Sequence, residues 1–145
     1  MSDPDEHRAA IAALVYAYAE RLDAGDLAGV AALFADATLR GGRSGRAPRG
    51  RDAVLALFRG TVRLYDDLPC TKHVITNLVV TLDGDRASSR CAFTVLQARP
   101  GLPLQAILAG RYHDRWQRHG GSWRFAERLV LADHLGELSR HTLPG

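Results

Sequence analysis

Two hydrophobic periods divide the chain. Ile11, Leu14, Val15, Tyr18 and Leu22 recur every three to four residues and form one apolar stripe, which predicts an amphipathic helix. Asp3 and Asp5 flank Pro4 at its start, where acids meet the positive end of the helix dipole. Gly25 is placed to end it. Asp26 then serves as the N-cap of a second short helix, Leu27 to Phe34. Residues Arg40 to Gly50 carry four glycines and a proline and read as a loop, with room for a short strand at Ala37 to Arg40. A third helix is expected from about Arg51 to Tyr65, with Val54, Leu55, Leu57, Phe58, Val62 and Tyr65 on its buried side.

Beyond it the period drops to two. Lys72 to Leu82 is β-branched and apolar, and Asp83-Gly84 is a hairpin turn signal. Arg86 to Ala98 puts Ala87, Ser89, Cys91, Phe93 and Val95 on one face. Leu104 to Gln117 puts Leu104, Ala106, Leu108, Gly110, Tyr112 and Trp116 together, and Trp123 to Ala132 is the last long strand. Helices followed by a four-strand meander imply an α+β fold, with three helices packed on one face of a strongly curved antiparallel sheet that encloses a pocket. The length of 145 residues suits one domain spanning 1–145, without repeat or linker.

Charge adds little to that picture. The net charge is +3, and 18 of the 19 basic residues are arginine, the exception being Lys72. Arg40, Arg43, Arg46, Arg49 and Arg51 crowd the Gly-rich stretch, but 16 acids are interspersed and no nucleic-acid motif accompanies them. They read as a solvated loop, and no nucleic-acid partner is expected. Cys70 and Cys91 lack C-x-x-C spacing, so each is expected as a buried free thiol inside a strand. The first ten residues are polar and acidic, unlike a signal peptide, and no apolar stretch reaches membrane-spanning length. A cytoplasmic location and no membrane partner are the expectation.

Four segments, in this order and spacing, resemble SnoaL-like domains of the nuclear transport factor 2-like superfamily. They are YAERLDAGDLAGVAALF (18–34), GRDAVLALF (50–58), KHVITNLVVTLDGDRA (72–87) and GRYHDRWQRHGGSWRFAER (110–128). The resemblance implies the cone-shaped fold of scytalone dehydratase, polyketide cyclases, ketosteroid isomerase and the small subunits of ring-hydroxylating dioxygenases. It leaves function open, because the superfamily also holds pure binding modules.

His73 shares strand parity with Ile75, Asn77 and Val79 and is expected to face the hollow, where an imidazole moves protons near neutral pH. In the family's dehydratases a histidine in a matching segment is the acid/base, and His73 in TKHVITN looks like it. Asp23 lies in the last helical turn, against the dipole, at the place where those dehydratases carry an aspartate beside the histidine. The pair would orient and stabilise the imidazole. The competing readings are a structural histidine and a solvated aspartate.

Tyr18 points inward on its stripe, and in ketosteroid isomerase the matching tyrosine donates to an oxyanion. That isomerase's base position falls on Gly41 here, and the dehydratase tyrosine is Leu22, so neither named mechanism carries over whole. Tyr112 and Asp114 share a strand face. Arg128 is expected to pair with Asp114 or Asp23. Tyr112, Asn77 and Arg128, like Tyr18, are either substrate contacts or packing.

The six histidines show no metal-binding spacing, no Gly-rich phosphate cradle follows a strand, and serine-nucleophile signatures are absent. No metal or cofactor is expected. The expected function is a cofactor-independent lyase, isomerase or cyclase acting on a small hydrophobic, cyclic or polyketide-like molecule. The alternatives are a non-catalytic small-molecule-binding domain and a structural dioxygenase subunit. A homodimer or homotrimer is expected.

Overall fold

A computed structural model describes residues 3–41 and 45–144; Arg43 of the arginine-rich loop lies outside them. Helix α1 (Pro4–Asp23) is followed by α2 (Leu27–Ala32), strand β1 (Thr38–Gly41), α3 (Arg51–Thr61), β2 (Thr71–Asp83), β3 (Arg86–Arg99), β4 (Leu102–His119) and β5 (Ser122–Leu135).

The start of α1 follows the local chemistry of its sequence. Asp3 caps it by accepting from the Asp5 N–H, and Pro4 occupies the first helical turn, where its missing N–H is no loss. At the other end Ala24 is the C-cap and Gly25 stands just beyond it with φ +76°. The Gly25 N–H bonds the Leu22 carbonyl and the Asp26 N–H bonds the Arg21 carbonyl, a Schellman closure. Asp26 in turn caps α2 through the Gly29 N–H at 2.9 Å. Helix α2 stops at Ala32, two residues short of the expected Phe34, and the chain turns there so that Phe34 can enter the core. Helix α3 ends at Thr61 instead of Tyr65, because Val62 turns extended and bridges to Thr142.

The four long strands form the expected meander, and a fifth strand changes the sheet's character. The order is β1-β5-β4-β3-β2, and β1 runs parallel to β5, so the sheet is mixed and open. The face carrying Ala87, Ser89, Cys91, Phe93 and Val95 is buried as expected and continues to Gln97.

Two expected alternations shift phase. In β2 the register breaks between Thr76 and Val79, and Asn77 takes φ +56°. Leu78, Val80 and Leu82 therefore pack against the core while Val79 is exposed. In β4 a break beside Leu96 turns Ile107 inward and leaves Leu104 in solvent. Each bulge adds a residue and moves later side chains to the other face. Cys91 is buried in β3 as expected, but Cys70 sits just before β2 with φ +58° and is only half-buried.

The apolar stripe of α1, namely Ile11, Val15, Tyr18, Ala19 and Leu22, lies against the inner face of the sheet. Between them the interior is filled with rings: Phe34 stacks on Phe125 at 5.0 Å, Phe93 on Tyr112 at 4.3 Å, and Trp116 tilts over Phe125 at 4.0 Å. The segment after β5 returns across one end of this core. Leu138 is buried, Arg63 N–H donates to the His141 carbonyl at 2.8 Å, and Leu143 N–H donates to the Thr61 carbonyl.

Candidate active site

The end of α1 meets the beginning of β2, and this junction brings the two expected catalytic residues together. His73 Nδ1 lies 2.6 Å from Asp23 Oδ1, and the His73 backbone N–H donates to Asp23 Oδ2 at 2.8 Å. Thr71 adds its hydroxyl to Oδ1 at 2.9 Å. Three bonds from one strand thus fix a carboxylate that the helix dipole alone would disfavour. The His73 side chain is 4% exposed and that of Asp23 18%. Burial works to raise the Asp23 pKa, but the bonds and charge of His73, with Thr71 beside them, hold it below the ordinary value. Asp23 is therefore an anion that accepts, so Nδ1 carries the ring proton and Nε2 is left to exchange one.

The strand also explains why this pair forms and the alternative Asp23–Arg128 pair does not. Arg128 lies deeper, on β5 opposite Asp114 of β4, and binds it through Nε at 2.8 Å and Nη2 at 2.9 Å. Both side chains are fully buried. Burial opposes the guanidinium charge, but Asp114 overrides it and raises the Arg128 pKa. The guanidinium lies over the rings of Tyr112 at 3.8 Å and Tyr18 at 4.3 Å. Burial likewise raises the pKa of Tyr18 and Tyr112, so both phenols keep their protons.

The six site residues expected from the sequence thus fall into three places. His73 and Asp23 touch. Tyr18, Tyr112 and Arg128 face inward together, closed from solvent and packed against one another. Arg128 Nη1 has no hydrogen-bond partner among the described residues. Asn77 joins neither group: its left-handed backbone sets it on the exposed bulge, and the shared parity with His73 ends before it. Asparagine tolerates that conformation, which accounts for its presence there.

Two residues not singled out in the sequence belong to the neighbourhood of the pair. His141 is brought back by the C-terminal segment, and the charges of His73 and Asp23 both act on it. Burial first, and then the neighbouring His73, push its pKa down to about 4. Gln97, the β3 partner of Thr71, is 1% exposed and donates through Nε2 to the carbonyls of Pro69 and Arg140. No periodic pattern covers the tail, so its place is revealed by its backbone bonds to Thr61 and Arg63 and by the Gln97 and Tyr65 side chains that donate to the Arg140 carbonyl.

The remaining chemistry-bearing groups are quiet. Burial pushes the Cys91 thiol up to about 11, which removes it as a nucleophile. Among the described residues no three His, Cys, Asp or Glu side chains gather as metal ligands. A surface concavity of about 400 Å³ lies on the outer sheet face among Val79, Thr81, Ser88, His113 and Leu129, away from the His73–Asp23 pair. A second, of about 340 Å³, lies between Leu14, Leu33 and Trp123.

Comparisons with known proteins agree on the fold. The SnoaL-like domain family profile matches residues 5–129. A protein of unknown function from Mycobacterium tuberculosis is 30% identical, with a TM-score of 0.73 over 89% of this chain and 77% of that one. A protein from Novosphingobium aromaticivorans provisionally called a scytalone dehydratase is 23% identical, with a TM-score of 0.69 over 88% and 85%. From the same organism, the beta subunit of a provisionally assigned aromatic-ring-hydroxylating dioxygenase is 22% identical, with a TM-score of 0.74 over 97% and 98%. No curated protein matches the sequence.

Proposed function

The chain belongs to the SnoaL-like domain family, and on that premise we propose that it is a cofactor-independent lyase, isomerase or cyclase in which His73 exchanges the proton and Asp23 orients and charges its ring. One observation carries this reading. A single carboxylate takes both the ring N–H and the backbone N–H of the same histidine, at 2.6 Å and 2.8 Å. That grip fixes the ring's tautomer as well as its direction.

The chemistry follows from what the pair can hold. Nε2 takes a proton from an activated carbon or returns one to an oxygen, and the Asp23 carboxylate stabilises the imidazolium in between. Apolar surroundings suit a small hydrophobic, cyclic or polyketide-like substrate. Tyr18, Tyr112 and Arg128 would supply neutral and cationic donors to a substrate oxygen, Arg128 Nη1 having no hydrogen-bond partner among the described residues. Contact with them requires the packed rings to part. The free Cys70 and Cys91 fit a reducing cytoplasm.

The test is turnover of candidate hydroxylated and enolisable cyclic compounds by His73→Ala and Asp23→Asn. The expected result is a loss of activity of at least about a hundredfold for His73→Ala, with a smaller loss for Asp23→Asn. Full activity in both variants on a true substrate would dismiss the pair as catalytic.

The filled interior favours a second reading. The aromatic rings and the Asp114–Arg128 pair occupy the hollow that a ligand would enter. A structural subunit needs no open hollow, whereas a small-molecule-binding domain does. Stable co-purification with a large oxygenase subunit would favour the structural reading.

A further inference from the structure

The carboxylate of Asp23 takes three bonds from the start of β2, and two of them fall on the same oxygen. Oδ2 takes the His73 backbone N–H at 2.8 Å. Oδ1 takes the His73 ring at 2.6 Å and the Thr71 hydroxyl at 2.9 Å. The direction of the Thr71 bond is fixed, because an ionised carboxylate has no proton to give. Thr71 and His73 are alternate residues of one strand, so their side chains leave it on the same face. Their β3 partners, Gln97 and Val95, both lie on the buried face, and the register is unbroken until Thr76. One helix end thus meets both side chains at once.

Sharing an oxygen has a chemical consequence. A hydroxyl that donates to a carboxylate stabilises its charge and lowers its hold on any other proton, including the one on Nδ1. The Thr71 bond acts in that sense on Asp23, alongside the bonds and charge of His73. The role proposed for His73 makes this matter. A ring that takes a proton at Nε2 and then hands it on serves best when its partner does not stabilise the imidazolium too far.

We propose that Thr71 is a positioning residue of the His73–Asp23 pair, whose hydroxyl draws on the same carboxylate oxygen as the ring N–H and so limits the charge that Asp23 lends to the imidazole. It acts through Asp23 and touches no reacting atom. This rests on the acid/base reading of His73, and adds to it a third group that sets the strength of the base.

Three variants of the full chain test it. Thr71→Val removes the hydroxyl and keeps a β-branched side chain suited to a strand, and Thr71→Ser keeps the hydroxyl. NMR of isotope-labelled aspartate and histidine reads both partners without a substrate. The Asp23 carboxyl is expected to titrate about half a pH unit higher in Thr71→Val, the worth of one neutral hydrogen bond, and to return in Thr71→Ser. The His73 Nδ1 proton is expected to move downfield in Thr71→Val, since Oδ1 then serves a single donor, and to return in Thr71→Ser. Thr71→Ala should repeat both shifts. A mere tie between strand and helix predicts the reverse, a loosened contact with the ring proton moved upfield. That result, or an Asp23 titration unchanged in folded Thr71→Val, overturns the proposal and leaves the pair intact. If the natural chain carries its His73 ring proton on Nε2, the acid/base reading falls with it.

Discussion

His141 and Asp23 show how one residue's surroundings become a property of the whole fold. The His141 ring has an ordinary pKa of 6.5 and is held near 4 by burial and by the adjacent His73. Between those two values the unfolded chain takes up a proton that the folded chain refuses. Stability therefore falls as the pH drops from 6.5 towards 4, by up to ~3 kcal/mol. Asp23 acts in the same direction lower down. Its carboxyl is held below its ordinary value of 3.8, so its contribution is present above that pH and is lost as the medium becomes more acid. Urea midpoints at pH 7 and pH 5 should differ clearly for the natural chain, and the difference should shrink in His141→Phe. An equal pH slope in the two proteins would show that His141 is not the residue responsible. Arg128 and Asp114 make the opposite case: they face each other in full burial, and each is tolerable only because the other is there.

At the scale of elements, the α1–α2 corner sets the position of Asp23, and Gly25 makes that corner. Its φ of +76° is strained for any other residue, and a Cβ there would run into the Asp67 carbonyl oxygen. Gly25→Ala should cost about 2 kcal/mol or more, from left-handed backbone strain with a backbone clash added. Because Asp23 lies two residues earlier, the variant should also loosen the His73 contact. Urea unfolding reads the first effect and the His73 ring signal the second, and an unchanged midpoint would refute the corner's role.

The elements also show what could be read in advance. The acids flanking Pro4 at the start of α1, the cap at Asp26, the glycine after α1 and the Asp83-Gly84 turn are local, and the chain obeys them. The helix α1 stripe and the inner face of β3 were legible for the same reason. The faces of β2 beyond Thr76 and of β4 before Leu108 were not, because a bulge resets the phase without altering the composition. The short β1 was ambiguous, since four residues carry almost no period and their partners on β5 lie 89 residues later.

Across the whole molecule, the sheet buries one face and leaves the other to solvent. Val74 and Val79 stand exposed on the outer side of β2, at 37% and 45%, beside a concavity that Thr81, His113 and Leu129 help to line. Outward apolar side chains on an open sheet suit a second copy of the chain, in keeping with the homodimer or homotrimer expected from the family resemblance. Light scattering should return two or three times the 15.8 kDa chain mass, and Val79→Arg should lower it. A monomer at every loading concentration would exclude this assembly.

The sequence by itself determined the order of helices and strands, the ends of α1, the inward face of β3 and the family, because each depends on neighbours a few residues away or on a pattern spread along the whole chain. It also marked His73 and Asp23 as a candidate pair. Tertiary structure alone decided that their bond forms while Asp114 takes Arg128, that Asn77 turns away, and that the tail brings His141 to the site. Those outcomes depend on which groups meet in a shared buried volume, with hydrogen bonds available to some and water to none, and no spacing along the chain encodes such a meeting.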